Sequence, residues 1–182
     1  MPKEIPFFDH RNSLVESIKN SSRHRGYSFA YFVYLKIKNI LLYRMAYFCP
    51  LNSWRIKMHR WRGVNIGKNV FIDKQCSLDN AYPEYIYIGD FVGVNQGTTI
   101  LTHTNIRSHF DGVITPMVKP VVIKDYALIG INSTLLPGVT IGKSSIVSAG
   151  AVVHSNVKDY TLVQGNPAKK IIHYEHMLIN KK

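Results

Sequence analysis

The chain has 182 residues, and its 23 Lys and Arg against 11 Asp and Glu give a formal net charge of +12. This length favours one domain, or one domain with an appendage, and a chain of this size can bury a core without disulfide bonds. The apolar content of 46% excludes a disordered chain, and no apolar run reaches the roughly 18 residues of a spanning helix. Two widely spaced cysteines and a polar, charged start predict no disulfide framework and no signal peptide, and therefore a cytoplasmic protein.

The charge is concentrated in the first third of the chain. Residues 1–63 carry 12 basic and 3 acidic side chains, a net of +9, whereas residues 64–182 carry 11 and 8, a net of +3. Within 1–63, Asn12 and Ser13 predict the cap of a short helix over 13–20. Apolar spacing from Phe29 to Phe48 predicts a longer helix that Pro50 ends. We therefore interpret 1–63 as a basic, aromatic helical cap.

Beyond residue 63, aliphatic side chains recur every six residues, apart from two breaks. Such a period fits a strand of two or three residues followed by a corner, not a helix. Strand alternation then places the aliphatic residue and the residue two before it on one inward face. The aliphatic series is Ile66, Ile72, Leu78, Ile88, Val94, Ile100, Ile123, Ile129, Leu135, Ile141, Val147 and Val153. The residues two positions earlier are small or β-branched in nearly every case.

The spacing predicts a solenoid of triangular coils, each made of three strands and 18 residues. Whole coils fall at 64–81, 86–103, 121–138 and 139–156, with an insertion at 82–85 and a long loop at 104–120. Glycine follows the aliphatic residue four times, and we expect these glycines to turn the corners with positive φ. The pattern thus predicts a mainly β, parallel β-helix domain over 64–168 and a C-terminal tail over 169–182.

The repeat and four segments, at 83–90, 100–104, 136–142 and 165–169, resemble the hexapeptide-repeat acyltransferases. This resemblance implies a left-handed parallel β-helix with a helical N-terminal extension, since spacing alone does not set the handedness. Residues 44–48 and 61–67 are similar to enzymes of this family that O-acetylate surface polysaccharides or their precursors. The resemblance therefore implies a sugar or glycan acceptor and a homotrimer.

Acetyl transfer from a thioester to a hydroxyl needs a base, donors for the carbonyl oxygen and close approach of the two substrates. The resemblance implies that His103 is the base, because the family places its catalytic histidine between a coil and a long loop, facing a cleft between subunits. His109 is the second candidate. No carboxylate that orients the base is evident, although Asp111 or a neighbouring subunit could supply one.

The resemblance also implies acetyl-CoA as the donor, with no metal. Its pantetheine arm would lie along the coils at Gly130, Asn132 and Ala149, whose small or polar side chains let it approach the backbone. Lys169 and Lys170 follow the last repeat, where relatives place basic residues near the CoA phosphates. The same lysines are also consistent with an exposed charge pair.

Four alternative functions can be weighed against this one from the sequence. The acceptor could be the amine of an amino-sugar nucleotide or a small xenobiotic, which would make the protein an N-acetyltransferase. A γ-type carbonic anhydrase needs a closer histidine pair than His103 and His109 provide, and a β-helix scaffold would not need the long loop. The absence of nucleic-acid-binding signatures predicts no nucleic-acid partner. The basic segment 1–63 would instead cap the solenoid, with peripheral binding to an anionic membrane as an added role.

Overall fold

The computed structural model describes residues 26–104 and 117–176, which form two helices followed by fourteen strands. The predicted short helix at 13–20 and most of the predicted loop at 104–120 lie outside the described residues. The helices are α1 (Phe29–Phe48) and α2 (Asn52–Trp61). The strands are β1 (Asn65–Ile66), β2 (Phe71–Ile72), β3 (Ser77–Leu78), β4 (Ile86–Ile88), β5 (Gly93–Val94), β6 (Thr99–Ile100), β7 (Val121–Ile123), β8 (Leu128–Ile129), β9 (Thr134–Leu135), β10 (Thr140–Ile141), β11 (Ile146–Val147), β12 (Val152–Val153), β13 (Thr161–Gln164) and β14 (Lys169–His173).

The N-terminal helices follow directly from local sequence signals. Ser28 caps α1 by accepting a hydrogen bond from the amide of Tyr31 at 3.4 Å, and the helix ends at Phe48, two residues before Pro50. The prediction of a helix from Phe29 to Phe48 is therefore confirmed. The second helix, α2, was not predicted as a separate element. It packs against α1 and against β1 and β2 of the first coil.

The strands build three sheets that run along the solenoid. Their orders are β1-β4-β7-β10, β14-β13-β11-β8-β5-β2 and β12-β9-β6-β3, and every pairing is parallel except that of β13 with β14. Each coil contributes one strand to each sheet. The insertion near 82–85 is a single 3-10 turn, Pro83–Tyr85, between the first and second coils. The predicted parallel β-helix with a helical N-terminal extension is confirmed.

The core is the inner face that the six-residue period predicts. Eleven of the twelve aliphatic positions are buried, and Ile66 is partly buried against them. All twelve residues that stand two positions earlier are buried as well. Each aliphatic side chain stacks on its counterpart in the next coil, as in the register pairs Ile72 with Val94 and Leu78 with Ile100.

The expected reason for the four corner glycines is wrong. Gly67, Gly89, Gly130 and Gly142 do not have positive φ; the left-handed residues are two positions later, at Asn69, Phe91, Asn132 and Ser144. The glycines are needed because the next coil passes too close for a side chain. A Cβ on Gly130 would lie 2.5 Å from the Ala149 amide nitrogen, and one on Gly142 would lie 2.4 Å from that of Asp159.

The first coil leaves one row of carbonyl groups without a neighbouring coil. In the stack, the carbonyl of an inward aliphatic residue accepts a hydrogen bond from the coil before it. The amides of Gly67, Asp73 and Asp79 make these bonds at 2.8 to 3.0 Å. The carbonyls at the corresponding positions of the first coil, in Ile66, Ile72 and Leu78, have no earlier coil to donate to them.

Three arginines of the α2 segment supply the missing donors, one for each sheet. Each guanidinium donates to the carbonyl that an earlier coil would otherwise have bonded. The pairs are Arg60 with Ile66 at 3.1 Å, Arg55 with Ile72, and Arg62 with Leu78 at 3.0 Å. The helices therefore close the open edge of the solenoid with side-chain hydrogen bonds that imitate a coil.

The other end of the solenoid is closed by a hairpin. Strand β13 continues its sheet beyond β11, and β14 then runs back along it with antiparallel pairing. The repeat carried no signal for β14, so part of the segment interpreted as a C-terminal tail is a strand. Lys169 and Lys170 lie on it with exposed side chains.

Candidate active site

His103 lies at the corner where the second coil ends. It follows β6, and its backbone forms an antiparallel bridge with Val118 on the returning chain. The neighbouring Thr102 carbonyl accepts from the Lys119 amide at 2.8 Å, which holds the two ends of the intervening segment together. The His103 side chain is 28% exposed, so one edge of the ring is accessible while the other is packed.

The packed edge of His103 contacts a carboxylate that sequence reasoning missed. The Nδ1 atom of His103 lies 2.6 Å from Oδ2 of Asp79, and the Asp79 side chain is 1% exposed. Asp79 follows β3 at the same corner, one coil earlier than His103. The orienting group therefore comes from the first coil of the same chain; Asp111, which was considered for this role, lies outside the described residues.

Hydrogen bonds to both carboxylate oxygens stabilise the ionised form of Asp79. Its Oδ2 accepts from the amide and the hydroxyl of Thr102 at 2.8 and 2.7 Å, and its Oδ1 accepts from the Ala81 amide at 2.7 Å. Burial opposes the charged form, but the hydrogen bonds from His103 and Thr102 outweigh it and hold the pKa of Asp79 well below its usual range. The carboxylate stays ionised throughout the neutral range.

The pairing fixes the proton on the imidazole. An ionised carboxylate can only accept, so Nδ1 of His103 carries the hydrogen and donates it to Asp79. Nε2 then keeps its lone pair and can take a proton from an approaching hydroxyl or amine. This is the arrangement of a general base with an orienting acid.

A signal for Asp79 was present in the repeat. Asp79 occupies the position directly after the inward Leu78, and the register pairs Leu78 with Ile100. The coil alignment therefore places the acid against Thr102 and His103. Reading the corners coil by coil, and not only the inward positions, would have found it.

An aromatic wall borders His103. The ring of Tyr82 meets the imidazole edge-on with centroids 5.4 Å apart, and Tyr85 packs on Tyr82 in the same manner at 6.1 Å. Both tyrosines belong to the inserted segment between the first two coils. The insertion thus gives the site a surface that the regular coils lack.

The residues predicted to contact CoA lie at a different corner. Gly130, Asn132 and Ala149 are at the turns between the sheet that contains β8 and β11 and the sheet that contains β9 and β12. Consecutive turns are joined there by the hydrogen bond from the Gly150 amide to the Ile131 carbonyl, at 2.8 Å. The Asn132 and Ala149 side chains are exposed, so this corner presents backbone and small groups to a ligand.

One chain does not bring the two sets of residues together. The two sets lie at opposite ends of the strands in the sheet formed by β3, β6, β9 and β12. His103 follows the C-terminal end of β6, whereas Gly130, Asn132 and Ala149 precede the N-terminal ends of β9 and β12. Lys169 and Lys170 lie in β14 at the C-terminal end. His109, the second candidate base, lies outside the described residues. Within 26–104 and 117–176, no group of three His, Cys, Asp or Glu side chains is arranged to hold a metal ion.

Comparisons with known proteins agree with this architecture. The family model described as bacterial transferase hexapeptide (six repeats) matches residues 120–155. The chain is 32% identical over 142 residues to YvoF of Bacillus subtilis strain 168, a protein named as an acetyltransferase; the match covers 78% of this chain and 79% of YvoF. It is 46% identical over 70 residues to a Staphylococcus aureus tetrahydropyridine-dicarboxylate N-acetyltransferase, of which it covers 29%.

Solved structures show the same fold. The hexapeptide-repeat acetyltransferase VCA0836 from Vibrio cholerae, solved in complex with acetyl-CoA, is 26% identical with a TM-score of 0.65. That likeness covers 82% of this chain and 94% of VCA0836. A maltose O-acetyltransferase from Clostridium difficile 630 has a TM-score of 0.62 at 21% identity, over 91% of this chain and 90% of that enzyme, and shows the fold alone.

The coil architecture and these comparisons define the class of protein, the acetyltransferases built on a left-handed parallel β-helix. The match to YvoF extends over more than three quarters of both chains, which is enough to assign the family. The chain belongs to the bacterial hexapeptide-repeat transferases, and it is an acetyltransferase.

Proposed function

We propose that the protein is an acetyl-CoA-dependent O-acetyltransferase that acts on a sugar hydroxyl in the synthesis of a cell-surface polysaccharide. The observation that carries the proposal is the His103–Asp79 pair, with Nδ1 and Oδ2 2.6 Å apart and the other ring edge accessible. The aromatic wall of Tyr82 and Tyr85 beside His103 supports a carbohydrate acceptor.

The proposed reaction is a direct transfer. Nε2 of His103 takes the proton of the acceptor hydroxyl while the hydroxyl oxygen attacks the thioester carbonyl. The carbon–sulfur bond then breaks, and His103 passes this proton to the leaving thiolate of CoA. Asp79 stabilises the imidazolium that forms between these steps and keeps the ring in the reactive orientation. No covalent enzyme intermediate is required.

The proposed donor site is the corner of Gly130, Asn132 and Ala149, with Lys169 and Lys170 near the CoA phosphates. The observation that fits this group is the row of exposed small and backbone groups at that corner. When bound, acetyl-CoA supplies the activated acetyl group. Because His103 is at another corner of its own chain, we propose that it faces the donor corner of a neighbouring subunit in a homotrimer.

The body of the solenoid has a surface that suits such an assembly. Several large apolar side chains are exposed on its outer faces, and the rings of Phe91 and Tyr126 stack in parallel at 5.0 Å. Burial of these groups between subunits would be favourable. They are Phe71, Tyr87, Phe91, Tyr126, Leu128 and Ile131.

A turnover assay tests the proposed function. The protein is incubated with acetyl-CoA and a panel of sugars, oligosaccharides and amino sugars, and CoA release is followed for wild type and His103→Ala. We expect wild type to acetylate a hydroxyl acceptor and the variant to lose about 10²–10⁴-fold in kcat. Full activity of His103→Ala would contradict the proposed base. Turnover only with amino sugars would replace O-acetylation by N-acetylation.

The helical cap supports a further part of this proposal, peripheral binding to the cytoplasmic face of the membrane, where lipid-linked glycan precursors are assembled. The outward face of α1 is apolar, and its large side chains are 47 to 67% exposed: Tyr34, Ile37, Ile40, Leu41, Met45 and Phe48. Residues 26–63 contain seven basic residues and no acidic one. Neither described helix is both long and apolar enough to cross a bilayer.

An anionic bilayer is the partner that best matches the outward apolar face of α1. A second copy of the cap would bring two positive surfaces together, whereas anionic headgroups would neutralise basic side chains of the two helices, such as Lys38 and Arg44 of α1 and Lys57 of α2. Sedimentation with phosphatidylglycerol vesicles should capture wild type, and phosphatidylcholine vesicles should not. Phe48→Ser should weaken capture, while Ile171→Ser, which removes an exposed apolar side chain from β14, should not. Equal capture of both variants, or self-association lost only in Phe48→Ser, would overturn the membrane role.

A further inference from the structure

Arg62 connects the helical cap to the candidate active site. It is the residue directly after α2, and it is buried. Its Nη2 atom donates to two consecutive carbonyls of the first coil, those of Leu78 at 3.0 Å and Asp79 at 2.8 Å. The backbone of the residue that orients His103 is therefore held by a side chain from outside the solenoid.

The guanidinium is itself fixed on its other edges. Nε of Arg62 donates to Oδ1 of Asn39 at 2.6 Å, and Nη1 lies 2.9 Å from Nδ1 of His59. Burial and, to a smaller extent, the nearby Arg62 and Arg55 cations lower the pKa of His59 to about 3, so its neutral ring accepts the Arg62 hydrogen. The guanidinium also lies over the Tyr43 ring, 4.9 Å from its centre.

A second side chain of α1 holds the next peptide of the same segment. Asn39 donates from Nδ2 to the carbonyl of Asn80 at 2.5 Å while its Oδ1 receives Arg62. Three consecutive carbonyls, of residues 78 to 80, thus bond to the cap. The side chain of Asp79, between them, is turned the other way, toward Thr102 and His103.

We propose that Arg62 and Asn39 are positioning residues for acetyl transfer: they fix the 78–80 backbone so that the Asp79 carboxylate holds His103 in its reactive orientation. This inference rests on the proposed function of His103. It makes the cap part of the catalytic apparatus, because the carboxylate is set from a peptide that has no earlier coil to anchor it.

The two other edge arginines provide matched controls. Arg55 and Arg60 donate to the carbonyls of Ile72 and Ile66, so they perform the same edge-closing role in the other two sheets. Only Arg62 also bonds the Asp79 carbonyl. A role limited to stability predicts similar behaviour of all three, whereas a positioning role predicts a catalytic effect at Arg62 alone.

The experiment compares Arg62→Met with Arg55→Met and Arg60→Met. We expect Arg62→Met to lower kcat about 10–10²-fold with little change in KM for acetyl-CoA, since a misplacement of about 1 Å can cost this much. Arg55→Met and Arg60→Met should lower the melting temperature and leave kcat within twofold. Asn39→Ala is a milder second variant in case Arg62→Met does not fold, and it should lower kcat in the same way.

A spectroscopic readout separates this inference from the turnover assay. The hydrogen-bonded Nδ1 proton between His103 and Asp79 should give a downfield proton resonance in wild type and Arg55→Met that Arg62→Met shifts or loses. An unchanged resonance and kcat in Arg62→Met would overturn the proposal, as would equal kcat losses in all three arginine variants. Full activity of His103→Ala would instead refute the proposed function, whatever the resonance shows.

Discussion

The body and the cap of this protein are held together by different physical means. In the body, each coil buries aliphatic side chains against identical positions of the next coil, and polar atoms are bonded within the backbone ladders. In the cap, the outward face of α1 is apolar, and the inward side sends arginine and asparagine side chains to individual carbonyls. The structure of the body follows from its repeated sequence. The structure of the cap follows from the unpaired carbonyl groups of the first coil, which no coil can bond.

This difference changes the meaning of the positive charge. Residues 1–63 carry a net charge of +9, which suggests a polyanionic partner when the sequence is considered alone. Three of these cations, Arg55, Arg60 and Arg62, instead bond to carbonyls of the first coil. Part of the charge is therefore structural, and only the remaining basic groups can contribute to binding a membrane.

The largest effect is expected in the body, from Asp79→Asn. An amide in place of the carboxylate would face the Thr102 donors with one of its own, so His103 would lose its orienting partner. We expect kcat to fall by about 10³–10⁴, the size seen when a buried orienting aspartate is neutralised. Asp73→Asn is the matched control because Asp73 stands at the preceding corner of the same coil, where its carboxylate accepts from the Lys74 amide at 2.7 Å. Equal kcat for the two variants would show that the pair is not catalytic.

The next largest difference is expected in the free energy of unfolding, when one leucine side chain is truncated in each region. Leu135 is completely buried in the body, and Leu41 is 58% exposed on α1. Leu135→Ala should lower the free energy of unfolding by about 2–5 kcal/mol because it leaves a cavity, and Leu41→Ala should change it by less than about 0.5 kcal/mol. Urea denaturation at one protein concentration measures both. A large loss from Leu41→Ala would mean that its face is covered in solution.

Mild acid should weaken the cap. The pKa of His59 is about 3 in the folded protein and about 6.5 when unfolded, so below pH 6.5 the unfolded chain binds the proton more tightly. Stability that is fully present above pH 6.5 should fall by about 2 kcal/mol by pH 5. Asp79, with a lowered pKa, should contribute a pH dependence only below about pH 4.

The variant His59→Gln isolates this contribution, because every other titratable group is the same in both proteins. Denaturation of the two proteins at pH 7, 6 and 5 gives the difference in slope. Parallel slopes would show that His59 is not buried as a neutral ring. A steeper slope for His59→Gln would contradict the sign of the effect.

The body could be predicted from the sequence to the level of single residues. The series from Ile66 to Val153 names the inward positions because coil stacking demands the same kind of side chain at each one. The helix from Phe29 to Phe48 and the corner position of His103 also follow from local patterns. These features depend on periodicity and end signals, both of which are visible in one dimension.

The remaining features depend on contacts between coils, which a pattern within a single coil does not show. Asp79 reaches His103 only because 24 residues of chain complete a turn and return to the same corner. Gly130 and Gly142 are glycines because another coil passes over them, not because their own backbone requires it. Arg62 has no sequence signal at all, since a carbonyl without a donor exists only once the stack has an end.

Both ends of the solenoid oppose the addition of a further coil. Arginine side chains at one end occupy the acceptors that an added coil would use. At the other end the reversed strand β14 covers the outer edge of β13 in one of the three sheets. A further coil could be inserted in the middle, where every neighbouring coil pairs with one like itself, whereas a coil added before the first would have to displace three arginine side chains.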